Sequence, residues 1–225
     1  MLHCKNVSVL LLLIFLLNPF PNLLLAQQKY DKSFYGGLFY ISHYMTSDEY
    51  KQFAATHRDV ETADHIYETA LKFFDGDRSE TFFCLAFTFL PYNKILMRLP
   101  VIRTVVTIPL PSPPNSIFKE KLKNTPKKIF PDSPADDFGD KDKLAHFFAN
   151  AFLHYDVTIF NLSEFLGIFV EYFEQGFFIQ GEYDIRDLIA NHIGEFYADM
   201  LKKNPNAKPS DAFLVYQLLY MPAPL

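Results

Sequence analysis

His146, Glu171, Glu174 and Asp187 are the residues of this sequence whose types and spacing could do chemistry. An imidazole gathered with carboxylates suits Zn, Mn or Fe, and helical bundles place such ligands on facing helices. The same set, with His146, Glu171 and Asp187 as its reacting members, would serve as a general acid and base. A quieter reading is a buried hydrogen-bonded network that holds helices in register. That reading weighs more, because only one His is well placed and structural ion pairs also perturb side-chain titration. His154 lies two turns beyond His146, too far along the axis, and His192 points about 100° away from Asn191.

Three helices would have to position this set, over residues 141–155, 161–179 and 184–203. On the first, Asp142 and His146 are four apart and share a face, and Asn150 continues their column. Leu144, Phe148, Ala151, Phe152 and Tyr155 form the neighbouring apolar face, which puts His146 at the edge of the buried stripe. The second helix is apolar almost all round, so it belongs in a core or against lipid. Glu171 and Glu174 fall in its middle, where an unpaired carboxylate costs several kcal/mol and therefore demands a partner. The third helix presents Asp187, Asn191 and Gly194 at spacings of four and three, with Ala190 and Ala198 close by. Small residues there let another backbone approach. Lys202 and Lys203 suit its C-terminal end, and Asn204-Pro205 stops it. Residues 211–221 add a short fourth helix.

Upstream, Ser47 with Asp48 and Glu49 reads as a helix start, and residues 62–74 repeat at helical spacing up to a stop at Gly76. Asp75-Gly-Asp77 is a fragment of a calcium loop without its remaining ligands. Nine of the fifteen prolines lie between residues 80 and 134. Residues 81–90 and 102–110 are rich in β-branched and aromatic types, and with Pro91-Tyr-Asn-Lys94 between them they predict a β-hairpin. A polar, Pro-rich linker over residues 111–134 follows. Asp136, Asp137, Asp140 and Asp142 sit just before a helix, where they favour its dipole. The fold expected is mainly α, with an N-terminal helical region, a small hairpin and a C-terminal module of three to four helices.

The first 26 residues carry one Lys, an apolar run over residues 7–17 and Ala26 before Gln27-Gln28, the pattern of a secretory signal. Export to the periplasm or cell envelope is the expectation, with an uncleaved membrane anchor as the rival outcome. The divisions expected are 1–26, the signal; 27–134, an α+β region ending in the linker; and 135–225, the helical module. Cys84 is the one cysteine beyond the signal, so no internal disulfide is available and the fold rests on packing. Net charge is −5 and no basic patch stands out, which excludes nucleic acid as a partner. With 25 Phe, 13 Tyr and no Trp, the chain has either a rich core or a surface that leans on lipid.

Three motifs taken in order, Asp142-Lys143-x-x-His146, Gly167-x-x-x-Glu171-x-x-Glu174 and Asp187-x-x-x-Asn191-x-x-Gly194, resemble the pattern of VanZ-like membrane proteins. They resemble more closely a family of small exported lipoproteins, the YfiM type. The match covers about residues 140–198. It implies a helical envelope module, VanZ-like members being linked to glycopeptide-antibiotic tolerance. The sequence departs from the pattern in lacking a lipid-attachment Cys after the apolar run and in its long N-terminal region. Neither family supplies an established catalytic residue.

Three functions are compatible with these features. The first is an envelope protein at a membrane surface or on an envelope partner, its polar cluster holding the bundle together. The second is a metal-assisted hydrolase of an envelope lipid or cell-wall precursor, with His146, Glu171, Glu174 and Asp187 around a divalent ion. The third is a binding module for an apolar ligand.

Overall fold

The computed structural model describes residues 30–98, 104–156 and 184–219. Four helices come first: α1 (Phe34–Tyr44), α2 (Asp48–Thr56), α3 (Asp59–Phe73) and α4 (Arg78–Thr88). A two-stranded antiparallel hairpin follows, β1 (Lys94–Arg98) and β2 (Val105–Pro109), with Lys94 opposite Pro109 and Arg98 opposite Val105. Then come α5 (Asn115–Asn124), α6 (Lys143–Asp156), α7 (Ile185–Lys203) and α8 (Pro209–Leu219). The protein is mainly helical with one small hairpin.

Local chemistry sets the helix starts. Ser33, Ser47 and Asp77 each accept a backbone N–H from the first turn of α1, α2 and α4. At α3 the Glu61 carboxylate reaches back to the Arg58 N–H, 3.0 Å away. The turn between α3 and α4 needs positive φ at Asp75 and Gly76. Asp77 is spent on capping α4 and Asp75 pairs with Lys32, so Asp75-Gly-Asp77 is a structural turn.

The hairpin is displaced from its expected place. Residues 81–88, read as its first strand, belong to α4; Pro91-Tyr-Asn-Lys94 leads from that helix into β1. Packing outweighs β-propensity here. Thr81, Phe82, Cys84, Leu85, Ala86 and Thr88 are all buried, and the hydroxyls of Thr81 and Thr88 donate to the Asp77 and Cys84 carbonyls one turn back. The stretch expected as a linker carries α5 and then places Ile129 and Phe130 in the core.

One apolar cluster takes Ile41, Tyr50, Ile66, Phe82 and Phe89 from the N-terminal helices and Phe147, Phe148, Tyr197 and Phe213 from the C-terminal ones. Its rings meet at close range: Phe147 lies 4.9 Å from both Phe148 and Phe213 and stacks on Tyr197 at 5.4 Å. Helices α6 and α7 run side by side in the same direction, since Lys143 meets Asp187 near their starts and His154 meets Asp199 near their ends. A Cβ on Gly194 would collide with the Phe147 carbonyl oxygen, so glycine is what lets the two backbones close up. Among the described residues no helix is long and apolar enough to cross a membrane.

Candidate functional site

The α6–α7 seam carries the polar residues in a ladder. Its first rung is Lys143, whose ammonium donates to Asp184 Oδ2 at 2.6 Å, to Asp142 Oδ2 at 3.0 Å and to Asp187 Oδ1. Only 4% of the Lys143 side chain is exposed. Burial works against its charge, but Asp142, Asp187 and Asp184 outweigh it and hold the ammonium above its ordinary pKa. Asp184 also caps α7 through the Arg186 N–H. Burial would raise its pKa, yet the Lys143 bond holds it below the usual carboxylate range. Asp142 goes the other way: burial raises its pKa, and the neighbouring Asp187 charge adds to the effect against Lys143.

The next rungs run deeper into the bundle. His146 Nδ1 lies 3.2 Å from Asn191 Oδ1, an atom that can only accept, so the imidazole donates from Nδ1. Its Nε2 then faces Asp187 Oδ2 at 3.6 Å, beyond hydrogen-bond reach. Asn150 Nδ2 donates to the same Asn191 oxygen at 2.6 Å and to the His146 carbonyl at 3.1 Å. Among the described residues, Asp142 Oδ1, Asn150 Oδ1 and Asn191 Nδ2 are buried without a hydrogen-bond partner. The seam opens to solvent at its first rung, where 37% of the Asp184 side chain is exposed, and closes towards His146, at 14%.

Asp142, His146, Asp187, Asn191 and Gly194 thus come together as their spacing requires. Glu171 and Glu174, with the helix expected around them, lie outside the described residues. His154 pairs with Asp199 at 3.0 Å, bridging α6 and α7 near their ends, and His192 faces Glu195 on its own helix at 3.4 Å, so neither joins His146 and Asp187. Lys143 and Asp184 were not among the expected site residues. Lys143 lies four residues before Phe147, on the buried stripe of α6; a lysine there requires carboxylates around it, and this was the available signal.

A second network sits beside the first. Asp140 is fully buried and accepts the backbone N–H groups of Ile129 (3.1 Å) and Phe130 (3.0 Å), the Ser133 hydroxyl and the Arg186 guanidinium. Arg186 Nε also donates to Asp132 at 3.1 Å, which accepts the Tyr216 hydroxyl at 2.9 Å. Asp140 therefore does more than complement a helix dipole: it ties residues 129–133 to α7, and Asp132 extends the tie to α8.

Chemically the seam offers three carboxylates, one ammonium and one imidazole. Among the described residues no three His, Cys, Asp or Glu side chains are placed to hold a metal ion. Asp187 Oδ1 is bonded to Lys143, while its Oδ2 faces His146 Nε2. Comparison with protein-family models, with curated proteins and with solved structures finds no match in any of the three.

Proposed function

We propose that this chain is an exported cell-envelope protein held at a membrane surface, with the α6–α7 ladder locking its helices in register and performing no reaction. The observation that carries the reading is Lys143. A buried ammonium bonded by Asp142, Asp184 and Asp187 already occupies carboxylate oxygens that a metal or a substrate would otherwise engage. The leader-like first 26 residues, the abundance of Phe and the resemblance to VanZ-like and YfiM-type proteins support the envelope assignment. Fractionation of cells expressing the full chain tests it. The protein is expected in the membrane pellet and to stay there through a moderate-salt wash; complete recovery in the soluble fraction overturns the reading.

One observation favours a second reading, a metal-assisted hydrolase of an envelope lipid or cell-wall precursor. The 3.6 Å between His146 Nε2 and Asp187 Oδ2 is long for a hydrogen bond but suits two ligands of one ion, each about 2 Å from it. Glu171 and Glu174 would complete the set. Metal analysis of the purified protein decides: bound Zn, Mn or Fe that is lost in His146→Ala supports hydrolysis, and a folded, metal-free protein removes it.

A further inference from the structure

The hairpin stands apart from the helices: among the described residues no helix packs along either strand. A two-stranded ribbon alone in water is marginally stable, and each strand keeps one edge of backbone N–H and C=O groups without a partner. The Leu110 N–H donates to the Asn93 carbonyl at 2.9 Å, which fixes the alternation of the ladder beyond that pair. Ile95 with Ile108 and Met97 with Val106 are therefore the pairs that bond across the hairpin. Lys94, Leu96 and Arg98 on β1, and Val105, Thr107 and Pro109 on β2, turn their backbone groups outwards. The two edges differ in charge. A two-fold pairing of β1 with itself would set Lys94 opposite Arg98, like charge against like charge. β2, Val105-Val106-Thr107-Ile108-Pro109, has no charged residue, and Val105 is 45% exposed. Charge is the common guard of a free edge, and β2 has none. Pro109 has no N–H to offer and stands at an outward position at the end of the strand, where it stops the edge from lengthening.

We infer that β2 pairs with β2 of a second copy of this chain, antiparallel about a two-fold axis at Thr107. The inference is independent of the envelope reading above. What selects a second copy is that the edge complements itself in this register. The Thr107 N–H and C=O meet those of Thr107 of the second copy, and each Val105 N–H meets a Pro109 carbonyl, so the proline's missing N–H leaves only the Val105 carbonyl unmatched at either end. The side chains agree with the backbone. Val106 and Ile108, the half-buried residues of β2, come opposite one another across the axis, and Thr107 comes opposite its twin. Ile95, which pairs with Ile108, shares their face, so the apolar side of one hairpin continues into the other. Two hairpins joined in this way make one four-stranded antiparallel sheet. A sheet of that width with an apolar face holds together where a lone ribbon does not. The charged β1 strands then form its outer edges and end the assembly at two copies.

Light scattering on the purified full-length chain reads the mass of the particle directly. A dimer is expected for the unaltered protein. Thr107→Pro removes an N–H that the hairpin itself does not use, and Thr107→Lys sets two ammonium groups face to face on the axis. Both variants are expected to be monomers with unchanged helical circular dichroism, because Thr107 is exposed. Cross-linking tests the register separately. Cys84 is buried, so in a Cys4→Ser background an introduced cysteine is the one accessible thiol. Thr107→Cys brings two thiols together across the axis, with Cα atoms about 5.5 Å apart and within disulfide reach, and should give a linked dimer on mild oxidation. Lys94→Cys, on the outer strand, lies three strand spacings (about 14 Å) from its twin and should stay unlinked. A monomeric unaltered protein overturns the proposal. So does a dimer that survives both substitutions at Thr107, or one that links at position 94 as readily as at 107.

Discussion

Lys143 is the residue on which the seam turns. Lys143→Met should destabilise the protein by about 3–5 kcal/mol, the usual consequence of removing one partner from a buried ion pair. Denaturant unfolding would show it, and His146→Ala, which leaves the Lys143 bonds to the three carboxylates in place, should cost clearly less. Gly194→Ala should also destabilise, by about 1–3 kcal/mol, because its methyl group meets the Phe147 carbonyl and forces α6 and α7 apart. Lys121 is a different kind of buried cation. Its ammonium donates to the Thr88 and Leu90 carbonyls at and just past the end of α4, and burial lowers its pKa to about 7. Between that value and the unfolded value of 10.5 the unfolded chain holds the extra proton, so stability rises with pH across this window. The slope from this group is at most about 1.4 kcal/mol per pH unit. Stability curves measured from pH 7 to 10.5 should flatten in Lys121→Met. At this scale His146, Asp187, Asn191 and Gly194 were legible, because spacing alone puts them on facing stripes. Lys121 was not: nothing in a Glu-Lys-Leu-Lys run says which lysine turns inwards, and that depends on where the end of α4 lies.

At the scale of elements, α4 shows how far local preference reaches. Its Thr, Phe and Cys residues favour a strand, and they form a helix because Asp77 caps it and because that helix packs its buried side on α1, α3 and α6. The hairpin exists, but Lys94–Arg98 supplies its first strand. The helices α6 and α7 were legible nearly to the residue, because each carries an unbroken 3.6-residue pattern and α7 also has a cap and a proline stop. Helix α8 is held from outside itself. Asp64 of α3 accepts the Ser210 N–H at 2.9 Å and the Ser210 hydroxyl at 2.6 Å, capping a helix far away in sequence. Asp64→Ala should cost about 1–2 kcal/mol, and hydrogen exchange should show protection lost first at the start of α8, with α6 and α7 unchanged.

For the whole molecule, envelope location and self-pairing through β2 are the properties to test, and metal content separates the structural ladder from a catalytic one. The sequence by itself determined the mainly helical class, the directions in which His146, Asp187, Asn191 and Gly194 point, and the need for close backbone contact at Gly194. These follow from periodicity, which is a local property of the chain. Tertiary structure alone decided that Lys143 supplies the positive charge, that Asp140 and Asp64 are clamps between distant segments, and that residues 81–88 are helical. Each of these depends on which surfaces meet: a buried charge is stable only where distant groups converge on it, and a short apolar run adopts whichever conformation buries it best.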